Sequence, residues 1–272
     1  MKIIRYLGAD GQVRRAAQQP DGLAYDLAGD FYADYRITDR RAEIVRLLAP
    51  VAPTAILGIG LNYRRHAAET GAGTPEHPIV FAKTLNTVQD PGGPILLPTF
   101  LRSDQVDYEC ELAVVIGRPC KNVHPDRALD YVLGYTAAND VSARDWQIAR
   151  GGGQWTRGKS FDTFCPLGPC LVTPGDIPDP NALGLKTTLT DREGIAEVVQ
   201  DWNTSDMIFG VPALIAFLSA SATLLPGTVI LTGTPHGVGM ARTPPRWLQP
   251  GDRVSIEVEK IGTLTNPVEA EP

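Results

Sequence analysis

The sequence predicts a β-rich α+β protein, and three features carry that reading. Strand-like runs outnumber helix-like ones and do not alternate with them, which argues against a doubly wound or barrel α/β fold. Turn punctuation is dense, with 27 Gly and 23 Pro, as short strands joined by tight turns require. The mostly apolar run VDYECELAVVIG, from Val106 to Gly117, is hydrophobic on both faces of a two-residue period, the pattern of a strand buried on both sides.

Taken in order, the first fifty residues read as a small α/β unit. MKIIRYL and GLAYDL are predicted strands around the turn signal GADGQ, and RRAEIVRLLA is a predicted helix. A Pro/Ala segment, APVAPTA, then serves as a linker, which divides the chain into a small N-terminal domain (1–50) and a larger one (54–268). Beyond it, strands are predicted at AILGIG, PIVFAK, PILLP, VDYECELAVVIG, LGYTAAND, GPCLVT, LGLKTTLT and TVILTG, and a further pair in RVSIEVEKIGTLTN. Helices are predicted at NYRRHAAET, PDRALDYVL and SARDWQIAR, and in SDMIFGVPALIAFLSASATLL, where Pro212 suits a helix's first turn.

Composition narrows the function. A net charge of −6 with no basic stripe disfavours a nucleic-acid partner. No apolar run is long enough to span a membrane, and the N-terminus lacks an apolar signal region. Cys110, Cys120, Cys165 and Cys170 form no C-x-x-C pair, so free thiols and a cytoplasmic location are expected.

Two glutamates inside an apolar strand need a reason. Glu109 and Glu111 point to the same face, with Asp107 beside them. They are either a solvated strand end or part of a hard-cation site, since carboxylate oxygens take Mg²⁺ or Mn²⁺. Asp140, at the junction of a strand-like and a helix-like run, is the candidate third ligand or a helix cap. Arg144 and Gln147 follow at helical spacing and reach toward the same point. His66 and Glu69, three apart on a short helix, are either a surface ion pair or an imidazole oriented as a general base. Lys159 follows a glycine triplet, Gly151 to Gly153, that would suit a lid. It is a solvated cation, or one that binds an anionic substrate or stabilises an enolate. TVILTGTPHGVG lacks a P-loop's G-K-[ST] ending, so it reads as close backbone approach to a ligand, with Thr234 as a donor.

The ordered set N-Y-x-x-H-x-x-E (62–69), D-Y-E-x-E-L (107–112), N-D-V-S-A-R-D (139–145), G-K-S-F-D (158–162), N-T-S-D-M-I-F (203–209) and L-T-G-T-P-x-G-V-G (231–239) resembles the fumarylacetoacetate hydrolase family over about residues 54–268. The resemblance implies a mixed β-roll, commonly a homodimer. It further implies Mg²⁺ or Mn²⁺ on Glu109, Glu111 and Asp140. His66 and Glu69 would activate water, Lys159 would face the substrate, and Arg144, Gln147 and Thr234 would bind it. The activity expected is metal-dependent hydrolysis of a C–C bond in a 2,4-dioxo acid, acylpyruvate or fumarylpyruvate, through a pyruvate enolate. Oxaloacetate decarboxylation and isomerisation of 2-hydroxyhepta-2,4-diene-1,7-dioate in aromatic catabolism are the alternatives at the same site. A non-enzymatic metal-binding protein is a remote one. Two departures stand out: Lys83-Thr84 where members often have Lys-Pro, and Trp202 where many have a small residue.

Overall fold

Strands begin almost at once in the computed structural model, which describes residues 1–272. β1 (Lys2–Gly8), β2 (Val13–Gln18), β3 (Ala24–Gly29), β4 (Tyr35–Arg41) and β5 (Ile44–Leu48) make up the N-terminal part. The helix expected over RRAEIVRLLA is absent. Ile44 to Leu48 instead pairs antiparallel with β1 (Arg5↔Leu48, Tyr6↔Leu47), because β-branched Ile44 and Val45 suit an extended edge and a partner strand was at hand. The N-terminal unit is therefore built of strands alone. β1 also pairs with a strand from the far side of the sequence, through Lys2↔Val172 and Ile3↔Leu171, so this unit extends the main sheet.

After it come β6 (Ala55–Gly60), α1 (Arg64–Glu69), β7 (Ile79–Lys83), β8 (Val88–Gln89), β9 (Ile95–Leu97), β10 (Val106–Asp107) and β11 (Cys110–Ile116). Next are β12 (Val132–Asn139), β13 (Ser142–Ala143), α2 (Trp155–Lys159), β14 (Cys165–Val172), β15 (Gly184–Thr190) and β16 (Ala196–Asn203). The chain closes with α3 (Val211–Ser221), β17 (Thr228–Leu231), β18 (Arg253–Val258) and β19 (Gly262–Ala270). Ten strands run β4-β3-β2-β1-β14-β12-β11-β17-β6-β7 across a twelve-stranded sheet, with β5 on β1 and β8 on β14, and a five-stranded sheet runs β16-β15-β18-β19-β9. Most pairs are antiparallel, but β17 with β6, β14 with β8 and β19 with β9 are parallel. The β-rich, mixed-sheet class read from the sequence holds.

β11 sits between β12 and β17 and is buried on both faces. Cys110, Leu112, Val114 and Ile116 enter the larger apolar cluster, whereas Ala113 and Val115 enter a smaller one. Glu111 shares the face of Ala113 and Val115, as two-residue alternation requires. The predicted single strand Val106 to Gly117 is interrupted, however. β10 pairs with β13 (Asp107↔Ser142) and β11 with β12 (Cys110↔Asn139), which leaves Tyr108–Glu109 opposite Asp140–Val141 outside both ladders. The gap is closed by the Asn139 side chain accepting from the Glu109 N–H and by the Asp140 N–H donating to the Glu109 carbonyl. Two of the three candidate ligands stand at this break.

The helix expected over PDRALDYVL is a 3₁₀ turn, Pro125–Tyr131, followed directly by β12, and SARDWQIAR forms a π-helix, Asp145–Arg150. Pro212 lies in the first turn of α3, where its missing N–H costs nothing.

Candidate metal centre and substrate pocket

Glu109, Glu111 and Asp140 converge: one ligand oxygen from each lies within 4.8 Å of the others, and all three residues are buried. Lys159 bridges two of them, its Nζ 2.7 Å from Glu109 Oε2 and 2.7 Å from Asp140 Oδ2. Its reach depends on Gly158. A Cβ there would lie 2.4 Å from the Gln147 nitrogen and 2.6 Å from the Ala143 carbonyl, so only glycine lets α2 press this closely on the π-helix.

A second ammonium, which the sequence did not single out for the site, completes Asp140. Lys83 Nζ lies 2.6 Å from Asp140 Oδ1 and donates to the Val141 carbonyl, with its side chain fully buried. Arg144 lies between Glu109 (Nη1 to Oε1, 2.7 Å) and Asp107, donating to the latter from Nε at 2.9 Å. Its Nη2 is also 2.9 Å from Asp107 Oδ2, but without an aligned hydrogen bond. Arg144 Nη1 donates to Gln147 Oε1 as well. Four buried carboxylates (Asp107, Glu109, Glu111, Asp140) thus meet three buried cations (Lys83, Arg144, Lys159), leaving one negative charge uncompensated.

That charge falls on Glu111. Its Oε2 accepts only from the Gly233 N–H at 2.7 Å. Burial, together with Asp140 and Glu109, holds its carboxyl well above the usual range. Burial pushes Glu109 the same way, but Lys159 and Arg144 outweigh it and hold Glu109 down at about 2. Lys159 is disfavoured by burial, yet Asp140 and Glu109 raise its proton affinity, so it stays an ammonium. A buried carboxylate without a counter-ion, in a donor set made only of oxygens, fits a hard divalent cation. Glu109, Glu111 and Asp140 can hold one.

The other expected residues gather around the same space. A cavity of about 240 Å³ is lined by His66, Arg144, Gln147, Lys159, Thr234, Glu109 and Glu111, with an apolar wall that includes Phe81, Ile148, Trp155 and Met240. His66 Nδ1 lies 2.7 Å from Glu69 Oε1, and Glu69 itself accepts from the Gly237 N–H at 2.9 Å. With Nδ1 engaged, Nε2 is the nitrogen left for chemistry. Trp202 packs under this helix: Arg65 stacks over its ring at 3.8 Å and His236 meets it edge-on at 4.9 Å.

The Gly-rich loop after β17 has a use that its sequence did not reveal. Its backbone N–H groups serve carboxylates rather than a phosphate. Gly233 donates to Glu111, Gly237 to Glu69, and Gly239 and Met240 to Asp107. Gly233 adopts φ +96°, a conformation that side chains resist.

A family profile described as Fumarylacetoacetate (FAA) hydrolase C-terminal matches residues 55–269. The chain belongs to the fumarylacetoacetate hydrolase family. Among curated members it is 47% identical over 225 residues to the mitochondrial oxaloacetate tautomerase fahd2 of Xenopus laevis, covering 82% of this chain and 68% of that one. Among solved structures it resembles the 5-carboxymethyl-2-hydroxymuconate delta-isomerase of Mycobacterium smegmatis, with 42% identity, a TM-score of 0.85 and 100% of both chains covered. The 2-hydroxyhepta-2,4-diene-1,7-dioate isomerase of Mycobacterium marinum is similar, at 41% identity and a TM-score of 0.84, over 100% of this chain and 99% of that one. No helix of the structure is long and apolar enough to cross a membrane.

Proposed function

We propose that this member of the family is a divalent-cation-dependent tautomerase that moves a proton between C3 and the 2-oxo oxygen of a small 2-oxo acid of the oxaloacetate type. The observation that carries the reading is His66, oriented by Glu69, in one small cavity with Lys159 and the carboxylates of Glu109 and Glu111. The tautomerase and isomerase names of the relatives support it, because each of those reactions transfers a proton without cleaving a C–C bond. The cavity volume, about 240 Å³, is below the roughly 300–1,000 Å³ of drug-sized pockets, which favours a substrate of few carbons.

Glu109, Glu111 and Asp140 would hold the cation, which when bound supplies Lewis-acid polarisation of the 2-oxo group. Arg144 pairs with the substrate carboxylate, while Gln147 and Thr234 orient it. In the keto-to-enol direction Nε2 of His66 takes a proton from C3. The C–H electron pair becomes the C2–C3 double bond, and the carbonyl electrons move onto the 2-oxo oxygen. Glu69 stabilises the imidazolium that results, and Lys159 stabilises the negative oxygen. The oxygen then takes a proton from solvent and His66 releases its own to solvent, so C3 has lost one proton, the oxygen has gained one, and the imidazole is neutral again.

The same base favours a second reading. If the His66–Glu69 pair acts on water instead of on C3, the outcome is C–C hydrolysis of an acylpyruvate or fumarylpyruvate. Injecting enol oxaloacetate and following loss of its ultraviolet absorbance tests the first reading; incubation with acylpyruvates tests the second. Acceleration of the enol's decay alone supports the tautomerase, and cleavage of acylpyruvates at a comparable rate supports the hydrolase. We also propose a cytoplasmic homodimer, which localisation and sedimentation would check.

A further inference from the structure

Gln200 lies outside the cavity wall, is 1% exposed, and makes four hydrogen bonds with its single amide. Oε1 accepts from the Cys110 N–H at 3.0 Å and from the Thr187 hydroxyl at 2.8 Å. Nε2 donates to Thr234 Oγ1 at 2.9 Å and to the Pro235 carbonyl at 2.9 Å. Two of these partners are backbone groups with fixed roles: an N–H can only donate and a carbonyl can only accept. They leave the amide one orientation, with oxygen toward Cys110 and nitrogen toward the loop after β17.

That orientation settles the hydroxyl of Thr234. Because Oγ1 accepts a hydrogen bond from the Gln200 amide, its own hydrogen must point elsewhere, and Thr234 lines the cavity. Cys110 stands between Glu109 and Glu111, so the same amide ties the carboxylate-bearing segment to the loop that faces it. We infer that Gln200 is a positioning residue that presents the Thr234 hydroxyl to the bound 2-oxo acid as a hydrogen-bond donor and fixes its distance from the three carboxylates. The inference rests on the reading of the cavity as a 2-oxo acid site.

The test uses oxalate, a planar, non-enolisable stand-in for the carboxylate and 2-oxo oxygens, titrated calorimetrically into Mg²⁺-loaded protein. Loss of a correctly aimed hydrogen bond to a charged ligand is expected to weaken binding about tenfold. Gln200→Met and Thr234→Val should each show that loss. The double variant should be little weaker than either alone, because Gln200 acts through Thr234. Thr234→Ser, which keeps the hydroxyl, should restore affinity. Gln200→Asn, an amide one methylene too short to span both sides, should weaken oxalate as Gln200→Met does and serves if the latter fails to fold. Unchanged affinity in both Gln200 variants, or fully additive losses in the double variant, would overturn the inference while leaving the site intact. Unchanged affinity in Thr234→Val would instead remove Thr234 from the substrate site.

Discussion

Replacing Glu111 by Gln removes the one buried carboxylate that has no cationic partner, so it should stabilise the protein stripped of metal while abolishing its response to metal. The ligand oxygens lie within 4.8 Å of one another, and at that limit unit charges in an effective dielectric constant of about 20 repel by about 3.5 kcal/mol. Glu111 faces two such neighbours, Glu109 and Asp140, and the Lys159 ammonium between them offsets much of that repulsion. A net gain of about 1–3 kcal/mol is expected from the substitution, or a rise of about 3–8 °C in Tm. Glu111 has its folded-state proton affinity raised by burial and by Asp140 and Glu109. Its contribution is therefore fully present below the ordinary carboxylate pKa and lost as pH rises through the raised one. The gap between chelator-treated wild type and Glu111→Gln should accordingly widen with rising pH. The assay is thermal unfolding in chelator at several pH values, then with Mg²⁺ or Mn²⁺ added. Wild type should gain stability from the cation, by about 2.7 kcal/mol at a hundredfold excess over Kd, and the variant much less. A variant less stable than wild type in chelator, or one that gains equally from the cation, would mean that Glu111 does not carry the uncompensated charge.

Other residues give equally direct tests. His66→Ala should lower enol oxaloacetate conversion at least about a hundredfold yet keep the cation-dependent rise in Tm; conversion near the wild-type rate would remove His66 as the proton carrier. Lys83→Met leaves Asp140 Oδ1 without its buried ammonium and should cost about 3–5 kcal/mol in urea unfolding. A loss below about 1 kcal/mol would show that the pair does not balance the site. Asp107→Asn removes the charge that holds the far side of Arg144; KM for the 2-oxo acid should rise several-fold with cation affinity retained, and a lost Tm response to Mg²⁺ would contradict that separation.

The face shared by Glu109 and Glu111 was legible because side-chain alternation along a strand is a local property, and Asp140 because it stands just past the end of a readable strand. The apolar run hid the break at Tyr108–Glu109, which depends on a bond from the Asn139 side chain thirty residues away. Lys83 was passed over although a signal existed: it falls two residues after Phe81, on the buried face of β7, where a lysine needs a partner. Its partner, Asp140, is 57 residues distant, and nothing local names it. Gln200 lies in β16, a strand that its flanking charged and polar residues concealed, and its role exists only through four distant groups. The misread helix at RRAEIVRLLA has the same origin, since pairing with β1 overrode a helical pattern that only local sequence could suggest.

The most direct measurement is exchange of the C3 hydrogens of oxaloacetate into D₂O, followed by NMR with wild-type protein, first in chelator and then with Mg²⁺ or Mn²⁺ restored. We expect exchange above the uncatalysed rate only when the cation is present, and its loss in Glu111→Gln. Exchange that proceeds equally in chelator, or none above background with either cation, would contradict a carboxylate-held cation and a proton-moving base at this site.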